Sequence, residues 1–311
     1  MKVVALAGGV GGARLAHGLQ QVLAPGDLAV VVNTADDTER HGLLVCPDHD
    51  TVLYTLAGIA NRELGWGIAG ESWAVMDQLG VYGEETWFRL GDRDLAAHIV
   101  RTARLRGGAR LTEVALHLQA SLGVPTRILP MADTPVRTRV LVDAGWLDFQ
   151  DYFVRLRQEP DVRGVTFDGA PAAAAPAEVR DAFASAEAIV VCPSNPVVSV
   201  APILAVPGIR EAIDAARARG ARAAAVSPII GGRALKGPAD RMLASLGHEV
   251  SALGVARMYA GLVDVFVLDT VDADLAPAIE ALGLRAVVTD AIMTDDAARA
   301  RLAAETLSAL A

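Results

Sequence analysis

The chain has 311 residues, with 28 Lys and Arg against 37 Asp and Glu, for a formal net charge of −9 at pH 7. Apolar residues make up 52% and charged ones 21%, which excludes a disordered chain; a globular chain of this length buries roughly 75% of its unfolded surface. The acidic balance argues against a nucleic-acid partner, because phosphate-backbone affinity rests on Lys and Arg, and leaves small phosphorylated ligands open.

The opening apolar run, residues 3–7, is too short for a signal-peptide core, and no apolar stretch approaches 18 residues. A soluble, cytoplasmic protein without a membrane span is therefore expected. Only two cysteines occur, Cys46 and Cys192, which fits a reducing compartment.

In chain order, residues 3–7 predict a strand running into Gly8-Gly9-Val10-Gly11-Gly12, followed by a helix over 13–23. Residues 28–32 predict a second strand, ending in Asn33-Thr34-Ala35-Asp36-Asp37. From 51 to 122 the periodicity is helical, with segments at 51–59, 72–79, 94–105 and 112–122. Residues 137–142 and 146–149 around Asp143-Ala144-Gly145 read as a hairpin, with a further strand at 162–167. The pattern then returns to strands at 188–191, 223–226, 263–268 and 285–288. Helices fall between and after them at 208–218, 238–246, 273–282 and 295–309.

Continuous apolar runs suit strands buried on both faces. Alternated with helices, they predict a doubly wound, mostly parallel, Rossmann-like α/β fold. Residues 1–311 read as a single domain, with a helical and small antiparallel insertion over 50–175. Ligands of such folds bind at the carboxyl ends of the strands, where the glycine, Asp, Ser and Asn clusters of this sequence fall.

Gly9, Gly11 and Gly12 let main-chain amides approach a phosphate, the following helix N-terminus adds a partial positive charge, and Arg14 offers a full one. The loop lacks the third glycine of a dinucleotide fingerprint and the Gly-Lys-Ser/Thr of a Walker loop. Asp36, Asp37, Asp48 and Asp50 form a cluster suited to a hard cation such as Mg²⁺, although Asp36 or Asp37 could instead hold a ribose hydroxyl. His41, Cys46 and His49 fall short of the four-ligand pattern of a closed zinc site. Asp94, in Arg89-Leu90-Gly91-Asp92-Arg93-Asp94, could be a simple helix N-cap, while two Arg and two Asp around a glycine suggest more than a cap. Ser194 and Asn195 lie in a proline-stiffened loop. Further on, Gly231 and Lys236 stand in a second such loop, and Asp240 could accept paired donors from a guanine edge.

Taken in order, these segments resemble the 2-phospho-L-lactate transferase (CofD-type) family of coenzyme F-420 biosynthesis. The most specific stretch is Ser227-Pro228-Ile229-Ile230-Gly231-Gly232 with Lys236-Gly237-Pro238-Ala239-Asp240. Leu90-Gly91-Asp92-Arg93-Asp94, Cys46-Pro47-Asp48-His49-Asp50-Thr51 and Pro193-Ser194-Asn195-Pro196 add to it. The resemblance implies transfer of a phospholactyl or phosphoenolpyruvyl group from a GDP-activated donor to the ribityl hydroxyl of the deazaflavin Fo, with GMP released. It also implies a need for Mg²⁺ and a homodimer. By matched position, Asp50 and Arg89 are expected to bind the acceptor, and Asp36 with Asp50 to serve as metal or catalytic carboxylates. The competing reading is a non-catalytic nucleotide-sugar-binding regulator of the same superfamily, which gives no reason for the 47–51 and 90–94 segments.

Overall fold

The apolar runs become strands because each buries both of its faces. In the computed structural model, which describes residues 1–311, β1 (Val3–Ala7) and β2 (Leu28–Val32) are buried at every position. Their side chains alternate between two cores. Val4, Leu6, Ala29 and Val31 join the core on one face of the sheet; Val3, Ala5, Val30 and Val32 join the core on the other. Such a strand has no polar side, which explains its unbroken hydrophobicity.

After β2 come a small hairpin, β3 (Thr38–Arg40) with β4 (Leu43–Val45), and then β5 (Arg127–Pro130). Strands β6 (Arg137–Val142), β7 (Gly145–Asp148) and β8 (Gly164–Asp168) form an antiparallel sheet with β6 in the middle. The chain re-enters the main sheet at β9 (Ala188–Val191) and β10 (Arg222–Val226). A two-residue hairpin, β11 (Ile229–Ile230) with β12 (Arg233–Ala234), precedes β13 (Val265–Asp269) and β14 (Arg285–Thr289). The main sheet is parallel throughout, in the order β14-β13-β10-β9-β1-β2-β5. This is the doubly wound arrangement, reversing direction between β1 and β9.

The helices that position the site are α1 (Gly9–Val22), α2 (Pro47–Leu56), α3 (Ala74–Val81), α4 (Asp92–Arg106) and α5 (Leu111–Ser121). Three details differ from the expectations. Helix α1 begins at Gly9, so the glycines form its first turn rather than a loop before it. The span 50–175 is not wholly outside the core, because β5 extends the main sheet beside β2. The helix expected at 273–282 is split into a 3₁₀ turn, Thr270–Leu275, and a short helix, Ala276–Glu280, with Pro277 near the break. No single helix is long and apolar enough to cross a membrane.

Candidate active site

The chain leaves β1 and β9 toward opposite sides of the sheet, and the loops that follow them meet. The Gly8 amide donates to Ser194 Oγ at 3.0 Å, and the Ser194 hydroxyl donates back to the Gly8 carbonyl at 2.9 Å. Glycine is demanded here by approach. A Cβ on Gly11 would lie 2.2 Å from the Pro193 carbonyl oxygen, and one on Gly8 2.5 Å from Asp48 Oδ2. Gly8, at the N-cap of α1, has no side chain to cap the helix, so first-turn amides face a cleft of about 570 Å³. Gly9, Gly11, Arg14, Ser194, Asn195 and Lys236 line it together with Asp36, Asp48, Asp50 and Arg89.

Against the glycine turn lie two carboxylates, buried Asp36 and half-buried Asp48. The Asn33 side-chain amide, just past β2, donates toward Asp36 Oδ2 (3.0 Å), Asp48 Oδ2 (2.9 Å) and the Val198 carbonyl (3.1 Å). Its two protons serve three oxygens, and Asp36 Oδ1 is buried with no partner. Burial, then the neighbouring Asp48 charge, pushes the Asp36 carboxyl well above its ordinary range; burial raises Asp48 to about 6. Two acids beside amides suited to an anion are a donor set that could hold a hard cation. The donor set fits Mg²⁺. Asp48 stood in the sequence only as one acid of a cluster, and its place on the glycine turn is the signal that separates it.

Asp50 sits elsewhere in the cleft. Its Oδ1 is ion-paired with Arg101 of α4, and burial of the carboxyl is outweighed by this guanidinium, which holds it well below the usual carboxylate range. Asp94, His98 and Asp50 also present ligand atoms within 4.8 Å of one another, but Arg101 already supplies the positive charge there. Asp94 is not a helix cap: it accepts the Tyr54 hydroxyl at 2.6 Å. The cap of α4 comes from outside, where Glu71 accepts from the Arg93 and Asp94 amides (2.8 and 2.9 Å). In return, Asp92 accepts from the Ser72 hydroxyl and from the first amides of α3. This reciprocal clasp fixes the segment that carries Arg89, whose guanidinium lies 4.5 Å above the Trp73 ring.

The cations of the cleft are free. Arg14 donates only to the Met293 carbonyl, at 3.5 Å, and neither it, Arg89 nor Lys236 forms an ion pair. Elsewhere Arg110, Arg139, Arg163 and Arg301 are each matched to a carboxylate. The cleft is also lined by the aromatic side chains Trp66, Trp87, Phe88, Phe149 and Phe153; Phe149 and Phe153 stack at 5.3 Å.

Three of the expected residues fall outside the cleft lining. A Cβ on Gly12 would meet Ser194 Oγ and Ala7, so this glycine packs α1 against β1. The Gly231 amide donates to Asp272, and Asp240 accepts from the Ala234 and Arg241 amides, so both brace the loop that carries Lys236. Burial pushes the thiols of Cys46 and Cys192 up, so neither is poised as a nucleophile.

A family model described as 2-phospho-L-lactate transferase CofD matches residues 3–306. The chain belongs to the CofD family. It is 45% identical over 313 residues to the phosphoenolpyruvate transferase of Streptomyces griseus subsp. griseus, covering 99% of this chain and 98% of that one. It is 40% identical over 292 residues to the 2-phospho-L-lactate transferase of Methanosarcina mazei, covering 94% and 95%. Relatives this similar over nearly their whole length make this CofD-family chain a transferase. A crystal structure of a UPF0052-family protein from Bacillus halodurans superimposes with a TM-score of 0.62 at 15% identity, over 98% of both chains, and supports the fold.

Proposed function

We propose that the protein transfers a phospholactyl or phosphoenolpyruvyl group from a GDP-activated donor to the ribityl hydroxyl of the deazaflavin Fo, in coenzyme F-420 biosynthesis. The attacking hydroxyl oxygen forms a bond to the phosphorus bearing the three-carbon acid. The bond from that phosphorus to the GMP oxygen breaks, GMP leaves, and the hydroxyl proton passes to a carboxylate of the site. One observation carries the reading: a −9 protein gathers three unpaired cations, open helix amides and two shared carboxylates at its sheet's switch point.

In this reading the donor diphosphate lies on the Gly9–Gly11 turn, with Arg14 and Lys236 matching its charge. Asp36 and Asp48 would hold Mg²⁺, which supplies charge neutralisation at the transferring phosphorus. The family resemblance pairs Asp36 with Asp50; the Asn33 bridge favours Asp48 as the partner instead. The aromatic side chains of the cleft, with Asp50 and Arg89, suit a planar, hydrogen-bonding acceptor. Catalysis on this plan is positioning and electrostatics, with no covalent enzyme intermediate.

Thermal shift with single ligands tests the assignment of the cleft. Fo, and GDP in the presence of Mg²⁺, are expected to raise the melting temperature, while a UDP-sugar and NAD leave it unchanged. Stabilisation by the UDP-sugar and none by GDP or Fo would replace this reading with that of a nucleotide-sugar-binding regulator.

A further inference from the structure

We propose that Arg101, through His98 and Asp50, is a positioning residue that prepares one oxygen of Asp50 to receive a hydrogen-bond donor of the acceptor. The inference rests on the acceptor half of the function proposed above. Arg101 is 1% exposed and stands on α4, inside the segment that interrupts the main sheet. Its guanidinium donates in three directions: to Asp50 Oδ1, to His98 Nδ1 at 3.0 Å and to the Leu44 carbonyl at 3.2 Å.

Guanidinium N–H groups only donate, so His98 Nδ1 is the acceptor of its bond with Arg101. The His98 Nε2 faces Asp94 Oδ1 at 3.4 Å, the same oxygen that accepts the Tyr54 hydroxyl. Tyr54 with Asp94, and His98 with Arg101, thus pack beneath Asp50 as two hydrogen-bonded pairs.

The two pairs leave one group unfinished. Asp50 Oδ2 is buried without a hydrogen-bond partner, and His98 Nδ1, 3.7 Å away, has no proton to offer it. Asp50 and His98 both line the cleft. Another ring beside this carboxylate, His49, lies with Nδ1 3.5 Å from Oδ1 rather than from Oδ2, so an unpartnered Oδ2 suits an O–H or N–H of a ligand and disfavours one lacking it. A lysine could carry the same charge but not bind three acceptors in one plane. If Arg101 only joined α4 to β4, its loss would lower stability without favouring either substrate.

The test is a pair of binding titrations on the folded protein: Fo by fluorescence, and GDP with Mg²⁺. For R101K, Fo binding is expected to weaken about tenfold or more while GDP binding stays within about twofold of wild type. In turnover, the acceptor KM should rise in step and the donor KM should not. His98→Ala, which leaves Arg101 one acceptor short, should weaken Fo binding about threefold, and it decides the question if R101K does not fold. Wild-type affinity for Fo in the folded variants, or equal loss of Fo and GDP, overturns the inference alone. Failure of the wild-type protein to bind Fo overturns the acceptor reading and this inference with it.

Discussion

At the scale of single residues, the site stores unfavourable charge. Asp36, Asp37 and Asp48 all have carboxyls raised by burial, Asp48 to about 6 and Asp37 to about 7. Each therefore binds its proton more tightly in the folded chain than in the unfolded one. The stability these protons contribute is full only below the ordinary carboxylate range and is lost progressively as pH rises from there through about 6 to 7. Asp50 has the opposite sign: lowered by Arg101 despite its burial, it stabilises above the ordinary carboxylate range and loses that contribution only in acid. Calorimetry in chelator should accordingly show a melting temperature that falls between about pH 5 and pH 8. Added Mg²⁺ should restore more stability at the upper end, and Asp48→Asn should flatten the slope. A Mg²⁺ effect larger at pH 5 than at pH 8 would contradict the carboxylate pair as its site. Asp48 and Arg101 were the hardest residues to find in the sequence. Arg101 sits in Arg101-Thr102-Ala103-Arg104-Leu105-Arg106, which reads as an exposed basic helix end, and only its burial separates it from its neighbours.

At the scale of elements, the decisive junction is β1, the glycine turn and α1 packed on the loop after β9. The Gly11 Cα approaches the Pro193 carbonyl so closely that any side chain must displace backbone. Gly11→Ala is expected to cost about 1–3 kcal/mol of stability and to weaken donor binding more than acceptor binding. Denaturant unfolding and the two titrations measure this; a variant with wild-type stability and GDP affinity would contradict the close approach. The main strands were legible because burial on both faces imposes continuous apolar runs. Strand β5 was not, since its four residues, Arg127–Pro130, begin with a charge and end in proline at the sheet edge. The clasp between Glu71 and Asp92 was also hidden, because each acid caps a helix about twenty residues away. Local reading assigned the cap to Asp94, whose carboxylate is instead buried against Tyr54.

At the scale of the whole molecule, the order of the sheet explains why distant motifs share one cleft. Gly9, Asp36 and Ser194 follow three neighbouring parallel strands, β1, β2 and β9, at their carboxyl ends. The span between β2 and β5 supplies the Asp50, Arg89 and Arg101 side, and the loop after β10 brings Lys236. The net charge of −9 takes its functional meaning from this layout. With a net negative chain, the diphosphate of the proposed donor would be held by local amides, three free cations and, as proposed, a metal between acids. The most direct measurement is mass spectrometry of the reaction of the purified protein with Fo, Mg²⁺ and GDP-activated phospholactate, phosphoenolpyruvate or 3-phosphoglycerate. The account predicts that Fo gains the phosphoacid of at least one donor, with one GMP released per product formed. A folded, Mg²⁺-replete protein that forms no adduct with any of the three donors would contradict it.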